Sequence, residues 1–340
     1  MSLVEPPATT SDAGIFLWMT WQALRRLGLD SAAIFASVGM PDEAPDPGQR
    51  RDNSTQRRFW DAAERISGDP DIGLHVAEQM PPFRGQVIEY LFLSSPTFGD
   101  GLRRISRYQQ LLTNAMRLEL RIEGDTAVLL GLEHPVRHYL ECAYAIQLQF
   151  LRQVTDGEFQ AREIWLPYEQ GASAEEYARV YRCPVRLGMP HGALRFDAAL
   201  LARPSSAAEP QLLAVHESLA SARLHDLARR DLILQVEREL GGLLESGEAS
   251  LEAVAQRLGL APRALRAQLA QLDTNFNTLL ASYRERLVRR LLARTQEPID
   301  QIVYLAGFSE PSALTRAFKR WTGETPTAYR ARKQSGHADA

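Results

Sequence analysis

The chain is poor in cysteine: 340 residues hold only Cys142 and Cys183. Two thiols in so long a chain do not make a disulfide framework. They fit a reducing compartment, with both side chains buried as small hydrophobes. Long apolar runs are missing too. No stretch is long and apolar enough to cross a bilayer, and Ile15–Met19, with no basic segment before it, is too short for a secretory signal. The expectation is a cytoplasmic protein that does not engage a membrane. Catalytic signatures are equally scarce: there is no HExxH, CxxC, P-loop, GxSxG or GxGxxG pattern. His134 and His138 stand four apart, but Pro135 interrupts the helix that would align them as metal ligands, so they read as surface or capping histidines. No enzyme, metal or cofactor is expected.

Strong net charge is also absent, and a formal charge of −3 spread evenly would argue against nucleic acid. The spread is uneven. Residues 251–333 hold 14 Lys or Arg against 7 Asp or Glu, a surplus of +7, which leaves −10 on the rest of the chain. A basic module joined to an acidic one suits a reader of DNA with a separate sensing domain, because phosphate attraction supplies most sequence-independent affinity. The length itself predicts two domains.

Within the basic region one pattern occurs twice. Leu251, Val254, Ala255 and Leu258 have the spacing of a buried helical stripe; Ser250 precedes them as N-cap, Gly259 ends the helix, and Pro262 fits only the first turn of the next one. That second helix turns Leu265, Leu269 and Leu272 inward, and Arg263, Arg266, Ala267 and Ala270 outward. The second copy has Ile299, Ile302, Val303 and Ala306 as its stripe, Gly307 at the turn, Ser309 as expected cap and Pro311 in the first turn. Leu314, Phe318 and Trp321 then face inward, and Ser312, Arg316, Lys319 and Arg320 outward. Arginine presents two donors to guanine, so Arg316 is the expected base reader, with Lys319 and Arg320 on phosphates. Between the copies Asn275–Leu292 reads as a helix with Leu279, Leu280, Tyr283, Leu287 and Leu291 inward. Arg284, Arg286, Arg289, Arg290 and Arg294 lie mostly outward. Such a helix would hold two recognition helices in major-groove segments about one turn, roughly 10 base pairs, apart. A solvated helix face is the alternative for any one charge run. Four coinciding features (glycine turns, proline starts, matched stripes, cationic faces) favour double-stranded DNA.

The acidic half reads as mixed α+β. Helices are expected at Ile15–Leu27, Ser54–Ser67, Gly99–Leu112, Tyr139–Thr155 and Ala174–Tyr181. Leu118, Leu120 and Ile122 alternate with charged residues, and Gly124-Asp125 turns the chain into Ala127–Leu132 as a hairpin. Further strands are expected at Glu163–Leu166, Val185–Leu187 and Ala193–Phe196. Arg203–Pro210 has the composition of a boundary. After it Leu212, Val215 and Leu219 have helical spacing, read as packing on their own domain in preference to a dimer seam. A supporting helix is expected at Asp231–Leu244, and the tail from Gln334 is expected to be disordered. The domains are therefore 1–226, with a boundary region at 203–226, and 227–334.

Residues Leu251–Arg332 resemble the DNA-binding region of the arabinose-regulator (AraC/XylS) family of bacterial transcription factors, most clearly over IVYLAGFSEPSALTRAFKRWTGETPTAYR at Ile302–Arg330. RGQVIEYLFLSSPTFGDGLRRISRYQQLL at Arg84–Leu112 and CPVRLGMPHGALRFDAALLARP at Cys183–Pro204 are similar to the arabinose-binding-type sensor domain of one branch. The first recognition helix departs from the family pattern, with Ala261 where a capping Ser or Thr is common and Ala267 and Gln268 where basic residues are. Val303 stands for a usual small alanine. The resemblance implies an α+β sensor domain before an all-α domain with two helix-turn-helix units. It implies a homodimer on promoter DNA that changes transcription, more often as an activator acting with RNA polymerase, when a small-molecule effector occupies the sensor. For that effector, Tyr144 and Gln147 lie one turn apart in an apolar helical run and would line a pocket between helix and sheet. Solvent exposure or a core hydrogen bond is the alternative reading.

Overall fold

Residues 10–244 and 246–335 are described by the structure, a computed structural model. The chain divides between Leu224 and His225 into two units with separate cores. In the first, β1 (Ser11–Asp12) pairs antiparallel with β2 (Arg51–Asp52), bracketing α1 (Gly14–Arg26) and α2 (Ser31–Ala36). Helices α3 (Gln56–Ser67), α4 (Ile72–Gln79), α5 (Val87–Leu93) and α6 (Phe98–Tyr108) follow. Helix α6 starts where Thr97 Oγ1 accepts from the Asp100 amide at 3.1 Å, a side-chain cap for an otherwise orphan donor. The Thr97 hydroxyl and Arg103 beside Asp100 hold its carboxyl below the usual range.

Strands β3 (Glu119–Glu123) and β4 (Thr126–Leu130) form the expected hairpin, with Gly124 at φ +64° in the turn. After α7 (Arg137–Gln153) come β5 (Ala161–Trp165), α8 (Ala174–Tyr181), β6 (Val185–Arg186) and β7 (Ala193–Asp197). The sheet order is β3-β4-β7-β5-β6, with only β5 and β6 parallel. The alternation in β3 suggests a buried apolar face, but β3 is an edge strand and Ile122 is 63% exposed. Its neighbour β4 is buried throughout. Ala127 and Leu129 enter the main core, and Val128 and Leu130 pack with Ala193 and Trp165 in a small second cluster. Both cysteines are free and buried, and burial raises both thiol pKa values, that of Cys183 to about 11.

The next helix revises three expectations. Helix α9 runs from Pro210 to Leu244, so the supporting helix begins well before Asp231. It passes through Gly241 and Gly242, where a Cβ would lie 3.0 Å from Tyr283 Oη and from Arg257 Nη1 respectively, and ends at Leu244. The boundary-like segment before it is tied down: Phe98 donates to the Arg203 carbonyl at 2.9 Å and Ser205 Oγ to the Leu93 carbonyl at 2.7 Å. The third revision concerns the apolar stripe. Leu212, Val215 and Leu219 are 52%, 61% and 43% exposed and do not pack on their own domain. The opposite side of α9 does so with Leu213, Ala220 and Leu224. It is supplemented by polar contacts, His216 to Ser94 (3.1 Å), Glu217 to Arg104 (2.9 Å) and Ser221 to Tyr108 (2.9 Å). Hydrophobic spacing alone finds the wrong face because the packed face is half polar.

The second unit is all helical: α10 (Leu251–Arg257), α11 (Pro262–Gln271), α12 (Phe276–Arg294), α13 (Ile299–Leu305), α14 (Pro311–Thr322) and α15 (Pro326–Ser335). Its two cores are joined by α12, which gives Leu279 to the first and Val288 and Leu292 to the second. Leu287 and Leu291, expected inward, are only partly buried. The tail is not disordered as far as it is described: Gln334 lies in α15 and its Nε2 donates to the Leu292 and Thr295 carbonyls at 3.2 and 3.0 Å. Residues 336–340 of that expectation lie outside the described residues.

Candidate nucleic-acid interface and ligand cavity

In the first helix-turn-helix, Ser250 Oγ accepts from the Ala253 amide at 3.1 Å and caps α10. Leu251, Val254 and Ala255 are buried, Gly259 takes φ +67°, and α11 starts at Pro262 with no side-chain cap from Ala261. Leu265 and Leu269 enter the first core. Arg263 and Arg266 both lie on the exposed face with Ala267, Gln268 and Ala270. Two cations in otherwise small and neutral company make a plain surface, suited to phosphates more than to base edges.

The second unit repeats the geometry with a more structured outer face. Ile302, Val303 and Ala306 are buried, Gly307 sits at φ +66°, and Leu314 and Phe318 fill the second core. Trp321, expected to be buried, is half-buried at its margin, with its ring 6.2 Å from Phe308 and 6.5 Å from Phe318. Ser312, Arg316, Lys319 and Arg320 are all exposed on α14. Ser309 does not cap this helix; the N-cap position belongs to Glu310, and its side chain makes no capping bond. Its carboxylate instead accepts from the Ser312 hydroxyl and lies 3.4 Å from Arg316 Nη2, while Arg316 Nη1 donates to Ser312 Oγ at 3.2 Å. Those bonds hold the Glu310 carboxyl below its ordinary range. The guanidinium of Arg316 is thereby positioned at the helix start, where a recognition helix meets base edges.

One arginine assigned outward is structural. Arg284 of α12 is half-buried over the Phe308 ring, 4.8 Å from its centroid, and Nη2 donates to the Gly307 carbonyl at 2.7 Å. Burial lowers its pKa. It closes the turn between α13 and α14 by satisfying a carbonyl at a helix end. Arg286 and Arg289 pair with Glu237 and Glu285, and Arg286, Arg290 and Arg294 are exposed on α12.

The N-terminal unit encloses a cavity of about 350 Å³ between α1, α3, α6 and α7. Phe16, Phe59, Trp60, Phe83, Met116 and Phe150 supply much of its wall. Such a volume falls at the small end of ligand pockets, ~300–1,000 Å³. The two effector candidates separate here. Gln147 lines the cavity, and its Oε1 is buried without a hydrogen-bond partner among the described residues. Tyr144 does not: it is fully buried on another face, its hydroxyl donating to the Leu132 carbonyl at 3.3 Å. On α7 the cavity face is Tyr139, Cys142, Ala143, Ile146, Gln147, Phe150 and Leu151, and Tyr144 lies about 100° round from Ala143. Two further atoms of cavity residues without a partner among the described residues, Arg51 Nε and Ser106 Oγ, carried no sequence signal. Both belong to segments whose apposition only the fold creates.

The histidine pair is also placed apart. His134 Nδ1 accepts from the Val136 amide at 3.2 Å, and burial pushes its pKa down to about 4. His138 Nε2 lies 3.0 Å from Glu64 and Nδ1 3.6 Å from Glu141; burial opposes its charge, but the two carboxylates outweigh that and raise its pKa. Among the described residues no helix is long and apolar enough to cross a membrane.

Comparison with known proteins matches both units. Residues 28–205 fit the family described as the arabinose-binding domain of AraC transcription regulator, N-terminal, and residues 254–332 fit a helix-turn-helix domain family. The chain is 27% identical over 315 residues to the ornithine utilization regulator of Pseudomonas aeruginosa, covering 89% of this chain and 91% of that one. It is 28% identical over 343 residues to the transcriptional regulator VirS of Mycobacterium tuberculosis, covering 93% and 95%. A solved structure, the transcriptional regulator CdpR of Pseudomonas aeruginosa, aligns with 92% of this chain and 98% of its own at 20% identity and a TM-score of 0.44. With a sensor-type domain matched over more than half its length and a paired helix-turn-helix after it, the chain belongs to the AraC family of transcriptional regulators.

Proposed function

We propose that this regulator reads promoter DNA as a homodimer, with α11 and α14 of each chain in successive major-groove segments, and that a small molecule in the N-terminal cavity sets its activity. One observation carries the reading: both proline-started helices bury one face in a core of their own and leave Arg263 and Arg266, or Ser312, Arg316, Lys319 and Arg320, together on the other. Arg316 reads a base; its guanidinium, held against Ser312 and Glu310 at the start of α14, supports a guanine contact.

Lys319 and Arg320, nearer the helix end, hold phosphates, as do Arg263 and Arg266. The exposed Leu212, Val215 and Leu219 supply an apolar stripe for the second copy, which restores the dimer-seam reading of these residues. Effector binding shifts the population toward the arrangement that matches the operator spacing, and the bound dimer activates transcription with RNA polymerase. The relatives are regulators and not enzymes, and binding without catalysis is the role proposed here. Selection of genomic fragments by the purified full-length protein tests the reading. The expected result is enrichment of a few promoters with two half-sites and affinity that falls steeply with salt. No preference for any duplex at moderate ionic strength, with or without candidate metabolites, overturns it.

A further inference from the structure

Most polar side chains around the N-terminal cavity are already paired among themselves. Asp12 accepts from Tyr139 at 2.9 Å, Asn53 at 3.2 Å and Gln56 at 3.4 Å, and Trp60 Nε1 donates to Gln56 Oε1 at 3.1 Å. Three lining residues keep a buried polar atom without a partner among the described residues: Arg51 Nε, Ser106 Oγ and Gln147 Oε1. Arg51 offers a donor, Gln147 an acceptor, and Ser106 either. An occupant rich in polar groups would bury most of them against the largely apolar wall, at a cost of about tenfold in affinity or more for each left unpaired.

Position and charge narrow the occupant further. Arg51 is the register partner of Asp12, and Asp12 is bonded to Tyr139, so the donor lies at the end of the cavity where β1 and β2 meet the start of α7. Gln147 comes eight residues after Tyr139 on that helix, about 12 Å further along. At the β1–β2 end Arg50 and Arg51 stand with Asp12 and Asp52, so a charged head gains no net field there. Resting on the effector-cavity reading above, we infer that the ligand is an uncharged, largely apolar molecule with a hydrogen-bond acceptor at one end and a donor some two helical turns away. A sugar or a zwitterionic amino acid carries more polar groups than this largely aromatic and aliphatic wall matches.

Methyl 10-hydroxydecanoate is a probe of this chemistry, with an ester acceptor and a hydroxyl donor at opposite ends of an apolar chain. Methyl 10-methoxydecanoate is its match without the donor. Titrated into the full-length protein and followed by tryptophan fluorescence and melting temperature, the hydroxy ester should bind and raise the melting point. The methoxy ester should bind about tenfold more weakly. Gln147→Leu should erase that difference, and Arg51→Met should weaken both esters alike. L-arabinose and L-ornithine should give no shift. Tighter binding of either polar compound than of the hydroxy ester overturns the ligand class, as does a tenfold difference that survives in Gln147→Leu. Ala143→Trp, checked for folding by circular dichroism, fills the cavity and separates the two levels. If it blocks a polar ligand while neither ester ever bound, only the ligand class is lost. If the folded variant binds and responds as the natural protein does, the effector cavity itself is refuted.

Discussion

Gly259 and Gly307 hold the same place in their helix-turn-helix units, at φ +67° and +66°, yet their surroundings differ. Nothing lies within 4 Å of a Cβ built on Gly259, whereas one on Gly307 would sit 2.9 Å from Leu244 Cδ2 and 3.3 Å from Arg284 Nη2. The first turn needs glycine for its backbone alone. The second needs it for backbone and space together, because α9 and α12 close over it. The outer faces follow suit: α11 presents Arg263 and Arg266 among small neutral residues, and α14 holds Arg316 in a bonded set with Ser312 and Glu310. Two copies of one plan have thus diverged into a loosely held unit and a tightly held one.

Substituting the two glycines tests that contrast most severely. Gly307→Ala should cost about 2–5 kcal/mol, left-handed strain plus overpacking, and Gly259→Ala only about 1–2 kcal/mol. Urea denaturation of the two variants measures the gap, and equal losses would erase the distinction. Next in size, Arg316→Ala should weaken operator binding by about 1–3 kcal/mol with little change on random DNA. Arg266→Ala should weaken both duplexes alike and make the salt dependence shallower. Fluorescence anisotropy on matched duplexes tells these patterns apart, and the reverse assignment would move base reading to the first unit. Arg284→Met, which keeps the stem and loses the bond to the Gly307 carbonyl, should destabilise the second unit by about 1–2 kcal/mol and spare the first. Hydrogen exchange resolved by segment would locate that loss. Smallest is Glu310→Gln: freeing Arg316 from an exposed carboxylate should raise DNA affinity by about two- to fivefold. A fall in affinity would mean that Glu310 positions the arginine more than it competes for it.

The paired units were legible because each depends on local signals. Proline at the first turn, glycine at a left-handed position and apolar residues at helical spacing are nearly independent of the rest of the chain, and all recur in the structure. Charge asymmetry, likewise a property of composition, pointed to the right end. Reading failed where the packed surface is polar or the contact distant. Arg284 looks like one more exposed cation until the Gly307 carbonyl in the turn between α13 and α14 meets it, and the packed face of α9 is hidden because His216, Glu217 and Ser221 pack where leucines usually would. Of the two residues weighed as pocket lining, Gln147 lines the cavity and Tyr144 takes the alternative, a core hydrogen bond, because one step along a helix turns a side chain by about 100°.

What the residues alone determined, then, is the DNA-facing half of this protein: short-range backbone rules and net charge suffice to write down two recognition helices and their cationic faces. The cavity, the three atoms in its lining residues that lack a partner among the described residues, and the direction in which α9 packs were decided only by tertiary structure. Arg51, Ser106 and Gln147 come from β2, α6 and α7, and no pattern along the chain encodes which unpaired groups will converge once those elements are brought together.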